Sequence, residues 1–300
     1  MKFSIITPVY NMAPYIRETI ESVLSQKGSF EIEYIIMDGG STDGTVEILK
    51  KYEQLLNEKK YPIKCTRITF KWQSEKDGGM YDAINKGFAR ATGDVYAWIN
   101  ADDTYLPDAF HRVANALTAF PEIEWIKGIT SNIEADGTVI RRGEVRIYEQ
   151  KWLARGMYGR QSYFVEQDSV FWRANLWKKI GNIPTQYRLA GDYWLWIQFA
   201  CFAPLWSFNI PVSRFRKRKE QLGQQVSAYK KEQVTILPKT GYEFSLVRLF
   251  FTLQSRLAPH FQRFFLLLYP FLFMKGKKTY YIDIVDDKMV EKEATSYLMR

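Results

Sequence analysis

Two adjacent carboxylates, Asp102 and Asp103, close the run Val95–Asp103, which reads Val-Tyr-Ala-Trp-Ile-Asn-Ala-Asp-Asp. The apolar start of that run, rich in β-branched and aromatic residues, reads as a buried strand. Acids at the carboxyl end of a strand in an open parallel sheet lie where ligands dock. Neighbouring carboxylates repel, so holding both there calls for a cation or a donor-rich ligand. Hard oxygens suit Mg²⁺ or Mn²⁺, and the combination points to a metal-bound diphosphate. Asp38 follows the buried run Tyr34–Met37 and offers a carboxylate to the imide or amino N–H of a base. Gly39 and Gly40 behind it allow close backbone approach. His111 and His260 are the only histidines, which excludes a multi-histidine zinc site. Carboxylates must then serve both as metal ligands and as general base.

The elements that hold these acids alternate. Phe3–Thr7, Tyr34–Met37, Lys64–Phe70 and Val95–Ile99 read as strands, and Ala13–Ser25, Thr45–Leu56 and Met80–Arg90 as helices. This predicts an α/β fold with a mostly parallel sheet and helices on both faces. Thr7-Pro8-Val9-Tyr10-Asn11 forms a tight turn after the first strand. Ser74–Gly87 brings Gly78 and Gly79 to a helix start whose N–H groups suit an anion. Further on, Leu106–Phe120 reads as a helix and Ile129–Glu134 against Val139–Val145 as a hairpin across Asp136-Gly137. A strand (Phe171–Arg173), a helix (Ala174–Ile180) and an apolar helix (Tyr193–Phe202) follow. Taken singly, these loops read as ordinary strand-to-helix turns and Asp192 as a helix cap.

Three hundred residues, 46% hydrophobic and 25% charged, suit one sizeable core with an appended segment. Cys65 and Cys201 are far apart, so a reducing compartment is expected rather than a disulfide framework. The N-terminus runs straight into a strand with no secretory signal, which predicts a cytoplasmic protein. A net charge of +9 favours an anionic partner, yet no nucleic-acid recognition motif is present. After Pro211 the composition shifts: Arg214–Lys219 holds five cations in six positions, and the chain beyond reads as helical. The expected division is therefore a domain over 1–220 and a helical C-terminal extension over 221–300. Phe264–Met274 is apolar but too short to cross a bilayer. Arg256, Arg263, Lys275, Lys277 and Lys278 flank it, so it is a candidate for lying on an anionic membrane surface, or else a helix packed on the core.

Ile5–Asn11, Asp38–Thr45, Ser74–Gly87 and Asn100–Asp103 occur in order, and together they resemble the family 2 glycosyltransferases. These are inverting, nucleotide-sugar-dependent enzymes of the GT-A fold. The resemblance implies that Thr7, Pro8, Val9 and Tyr10 cradle the nucleoside and that Asp38 reads the base, most often uracil. It places Asp77 and Gly79 near the diphosphate, and Ala101 and Asp102 at the ribose. The metal, Mn²⁺ or Mg²⁺, falls chiefly to Asp103 with help from Asp102. Asn100 stands where many relatives have a third acid. Gly191–Trp196 matches the block in which an acid opens an apolar helix, which makes Asp192 the general base. Gln167–Arg173 resembles the strand bordering the acceptor, where Trp172 and Trp194 could stack on sugar rings. Arg218 occupies a position where many relatives have a histidine near the metal. An arginine cannot ligate a cation but can pair with the diphosphate.

The implied reaction is single-sugar transfer to a glycan or lipid-linked acceptor in surface-polysaccharide or O-antigen synthesis, at the inner face of the cytoplasmic membrane. The Gln-x-x-Arg-Trp block of processive synthases is absent. Alternatives are a sugar-nucleotide nucleotidyltransferase, which usually has a Gly-rich basic loop unlike Thr7–Ala13, and a catalytically silent glycan-binding relative, which would not need the acids.

Overall fold

The computed structural model describes residues 1–159, 164–218, 221, 225–237, 249, 253, 280–285, 288–293 and 298–299. The first half runs β1 (Lys2–Val9), α1 (Ile16–Leu24), β2 (Gly28–Asp38), α2 (Thr45–Asn57), β3 (Cys65–Ser74), α3 (Met80–Phe88), β4 (Val95–Trp98), β5 (Thr104–Tyr105), α4 (Ala109–Ala119) and β6 (Trp125–Ile133). It continues through β7 (Val139–Arg141), β8 (Val145–Arg146), α5 (Gln150–Leu153), β9 (Val170–Arg173), α6 (Ala174–Ile180), α7 (Gly191–Phe202) and β10 (Trp206–Arg216). The elements beyond are α8 (Val226–Ile236), β11 (Tyr280–Val285), β12 (Lys288–Glu293) and β13 (Leu298–Met299).

One sheet carries the order β12-β11-β10-β6-β9-β4-β1-β2-β3. β3, β2, β1 and β4 are mutually parallel, and β9 runs against β4 and β6 on either side. Alternate residues of the central strands feed two separate cores, as a pleated strand requires. Phe3, Ile5, Tyr34, Ile36, Val95 and Ala97 pack beneath α1, α2 and α4. Ile6, Ile35, Met37, Tyr96 and Trp98 pack beneath α3, α6 and α7. With both faces covered, everything after Lys2 in β1 is buried, the polar Ser4 and Thr7 included. The mixed α/β architecture and the hairpin of β6 with β7 follow the sequence reading.

The region after residue 220 is not helical throughout. α8 meets that expectation, but β11 joins β10 in parallel and β12 pairs antiparallel with β11. Ile282 is fully buried against the same core as Phe3. The apolar run Phe264–Met274 lies outside the described residues. Among the described residues no helix is long and apolar enough to cross a membrane.

Candidate active site

The carboxyl ends of β1, β2 and β4 deliver three loops to one edge of the sheet. Asp38 ends β2, buried to 2% exposure. Its Oδ2 accepts the backbone N–H groups of Gly40 and Ser41 at 3.1 and 3.0 Å and the Ser74 hydroxyl at 2.5 Å. The Ser41 hydroxyl donates to Oδ1. The loop after β1 is knitted to this one: the Asn11 N–H donates to Ser41 Oγ at 2.7 Å, and Asn11 Oδ1 accepts the Thr42 N–H at 2.9 Å. Thr7 is fully buried and shares a hydrogen bond with the Tyr34 hydroxyl at 3.0 Å. Its side chain therefore faces the core, as do those of Pro8 and Val9, while Tyr10 is 61% exposed. Any contact of this loop with a nucleoside falls to its backbone and Tyr10.

The turn before α3 folds over the same edge. A Cβ on Gly39 would lie 2.9 Å from Asp77 Oδ2, so the glycine next to Asp38 leaves room for the Asp77 carboxylate. Asp77 Oδ1 accepts the Gly79 N–H at 2.8 Å. Gly79 opens α3 with φ 112°, a conformation that favours glycine.

The acid pair divides in two. Asp103 is fully buried, its Oδ1 accepting the Arg216 N–H at 2.9 Å and its Oδ2 the Asn100 amide at 3.3 Å. Burial, then the charges of Asp102 and Asp168, push its carboxyl well above the usual range. The residue expected to be the chief metal ligand is thus an interior brace of the loop. Asp102, 4% exposed, holds Arg218 Nε at 2.6 Å from Oδ2. Arg216 ties the loop down further, from Nε to the Asp102 carbonyl at 2.9 Å and from Nη1 to the Ala135 carbonyl at 2.7 Å. Asp168 accepts the Ser213 hydroxyl at 2.6 Å; burial raises it to about 6 against that bond. For a divalent cation the hard donors at hand are Asp102 and the side-chain amide oxygen Oδ1 of Asn100, which is buried without a hydrogen-bond partner among the described residues. Among the described residues no three acidic, histidine or cysteine side chains form a metal cage. The set fits Mg²⁺ or Mn²⁺ held by one or two protein oxygens, with diphosphate and water supplying the rest.

Asp192 lies in the first turn of α7. Its Oδ1 accepts the Tyr193 N–H at 2.7 Å and the Tyr229 hydroxyl at 3.0 Å. Tyr81, from α3, has its hydroxyl 3.5 Å from the same oxygen, donates to the Leu189 carbonyl at 2.9 Å and accepts the Asp192 N–H at 3.2 Å. A Cβ on Gly191 would lie 2.7 Å from the Tyr81 ring, so glycine there admits the tyrosine. Burial pushes Asp192 up to about 6, against the opposing bonds from Tyr193, Tyr229 and Tyr81. A carboxylate with that affinity is suited to take a proton near neutral pH. A cavity of about 340 Å³ lies on the far side of Tyr81 and Leu189, lined by Gly79, Tyr81, Asp82, Tyr187, Arg188 and Gln225 among others.

The aromatic expectation needs correction. Trp172 is fully buried, meets Trp98 edge-on at 5.6 Å, and cannot stack on a sugar. Trp98 in turn stacks on Trp196 at 5.6 Å with 7° between planes. Trp194 is partly buried and packs on that core. Ala101 is 4% exposed. Tyr229 and Glu232 lie outside every motif the sequence offers, whereas Tyr81 falls inside Ser74–Gly87 and Arg216 inside Arg214–Lys219 without either carrying an assigned role.

This arrangement of a parallel half-sheet, acid-bearing loops on one edge and a carboxylate at a facing helix start is the GT-A glycosyltransferase architecture. The S. aureus protein TarS, solved with UDP-GlcNAc, superposes with a TM-score of 0.58 over 96% of each chain at 15% identity. The mannosyltransferase PcManGT of Pyrobaculum calidifontis, solved with GDP-Man and Mn²⁺, gives 0.55 at 16% identity, over 85% of this chain and 70% of that one. Residues 4–174 match the model of glycosyl transferase family 2, and the chain belongs to that family. An uncharacterized glycosyltransferase of Mycobacterium tuberculosis is 30% identical over 192 residues, 63% of this chain and 65% of its own length. A PGL/p-HBAD biosynthesis glycosyltransferase of the same species is 28% identical over 210 residues, 69% and 68% of the two chains.

Proposed function

We propose that this chain is an inverting glycosyltransferase. It moves one sugar from a nucleoside-diphosphate sugar, a UDP-sugar first among candidates, to a hydroxyl of a glycan or lipid-linked acceptor in cell-surface polysaccharide synthesis, such as O-antigen. The observation that carries this reading is the reach of α3 and the turn before it. Asp77 abuts Gly39 beside Asp38, and two residues past Gly79 the Tyr81 hydroxyl meets Asp192. One short element thus spaces a base-reading loop from a proton acceptor.

In this reading Asp38 takes a base N–H, the backbone of Thr7–Tyr10 flanks the nucleoside, and the first turn of α3 faces the diphosphate. Asp192 accepts the proton of the acceptor hydroxyl as its oxygen attacks the anomeric carbon, opposite the departing diphosphate. The C1–O bond to the diphosphate breaks as the new glycosidic bond forms, with inversion. Arg218 supplies a guanidinium to the diphosphate, and Asp103 shapes the loop from beneath. A divalent cation on Asp102 and Asn100 would neutralise charge on the leaving group. The complexes of TarS with UDP-GlcNAc and of PcManGT with GDP-Man and Mn²⁺ support this donor class. The net charge of +9 supports peripheral work at the inner face of the cytoplasmic membrane.

Thermal-shift screening of UDP-, GDP- and dTDP-sugars with Mn²⁺ identifies the donor. With that donor, Asp192→Asn is expected to bind as the parent does while its turnover falls by about 10²-fold or more. Turnover equal to the parent's would refute the assignment.

A further inference from the structure

α8 lies beyond residues 4–174, the stretch that the family model matches, as Asp192 does, and it grips the start of α7 and the turn before it at two points. The Tyr229 hydroxyl donates to Asp192 Oδ1 at 3.0 Å. Three residues on, the Glu232 carboxylate accepts the backbone N–H groups of Arg188, Leu189 and Ala190 at 3.0, 2.9 and 2.8 Å. Residues three apart share a helix face, so one face of α8 presents both groups. The same face is seated firmly. Tyr229, Ile236 and Leu237 pack on Ala190, Tyr193 and Ile197, and buried Gln233 donates to the Gly159 carbonyl at 3.0 Å. Phe164 meets the Tyr229 ring at 5.9 Å with 60° between planes, an edge contact that helps hold the ring in place.

We propose that α8 is a clamp on the general base and that Tyr229 is its positioning residue, holding Asp192 Oδ1 so that Oδ2 addresses the acceptor hydroxyl. This rests on the reading of Asp192 as the base. Oδ1 takes the bonds from Tyr193 and Tyr229 and lies 3.5 Å from the Tyr81 hydroxyl, whereas no hydrogen bond among the described residues reaches Oδ2. The titratable groups facing this carboxylate are Tyr81 from α3, Tyr193 on its own helix, and Tyr229 with Glu232 from α8. Burial, and then the charge of Asp192, hold the Tyr229 hydroxyl well above its ordinary range, so it stays a donor wherever Asp192 is ionised. Glu232 meanwhile supplies acceptors to the N–H groups of the turn that leads into α7, including that of its N-cap Ala190.

The test uses the full chain, with UDP affinity read by calorimetry and donor turnover followed across pH. Tyr229→Phe should bind UDP as the parent does, lose about tenfold in kcat, and shift the acid limb of its pH profile upward by about one unit, because the lost bond favoured the charged carboxylate. Glu232→Gln, which keeps one acceptor oxygen, should likewise lower kcat with UDP affinity retained. If Tyr229→Phe leaves kcat and the acid limb unmoved while Asp192→Asn is inactive, the clamp is refuted and the base assignment stands. If Asp192→Asn turns over as the parent does, both fall together.

Discussion

Arg218 Nε lies 2.6 Å from Asp102 Oδ2, so the acid proposed to hold a divalent ion is engaged by a cation of the chain itself. The guanidinium carbon also sits 5.9 Å from the centre of the Tyr15 ring, and that of Arg216 lies 5.3 Å from it. A fixed positive charge thus stands where a histidine was expected from the family resemblance. It cannot donate electrons to a metal, but its planar fork suits a diphosphate.

Removing that fork should weaken donor binding. Arg218→Ala is expected to raise the Kd for UDP about tenfold, the weight of one charge-assisted hydrogen bond, and Arg218→Lys to recover only part of it. Calorimetric titration with UDP measures both. An unchanged Kd in the alanine variant would take Arg218 out of the donor site.

Turnover should rise from acid pH along a limb centred near the value of about 6 to which burial lifts Asp192. The sign follows from the role, since the protonated carboxyl cannot accept a proton. For stability the same shift works the other way. The contribution of this group is full below its ordinary 3.8 and fades as pH rises through about 6. Asp192→Asn should therefore lose turnover without a lower Tm at pH 8; a drop of several degrees there would contradict the picture.

Glu33 should matter for stability in the opposite pH window. Burial would raise its carboxyl, but bonds from Ser4, Thr92 and Lys71 outweigh that and bring it down to about 2 from 4.5. Its contribution is present above 4.5 and lost as pH falls toward 2. Glu33→Gln should cost about 2 kcal/mol at pH 7 and much less near pH 2, read from urea denaturation at the two pH values. An equal loss at both would show that charge is not the source.

Trp172 offers a separation of packing from sugar recognition. Its burial predicts that Trp172→Ala destabilises by about 3–5 kcal/mol, measured by chemical denaturation. Its Nε1 is buried without a hydrogen-bond partner, so Trp172→Phe forfeits volume and no bond. The phenylalanine variant should keep the parent's turnover at a lower Tm. Lost turnover with Tm retained would restore the sugar-stacking role.

Much of this architecture is legible along the chain because its causes are local. Val95–Trp98 alternates between two cores and is followed at once by its acids, so strand and loop are read together. The helix Ala174–Ile180 was expected at the bounds observed, its period being plain in a short window. The strands at Tyr280–Val285 and Lys288–Glu293 were not seen: their pairing with β10 and with each other is made across distance, and the preceding composition suggests helix.

At the site the same division holds. The residue types of Asp38, Asp102 and Asp192, and their places at strand and helix ends, follow from local pattern alone. Which of Asp102 and Asp103 turns inward depended on the Arg216 N–H, 113 residues from Asp103 in sequence. The tyrosines on Asp192 come from 111 and 37 residues away. Hydrophobic period and turn chemistry act over a few residues and so can be read in one dimension. Burial, charge pairing and the aim of a carboxylate are set by whatever the fold brings alongside, and only the folded chain decides them.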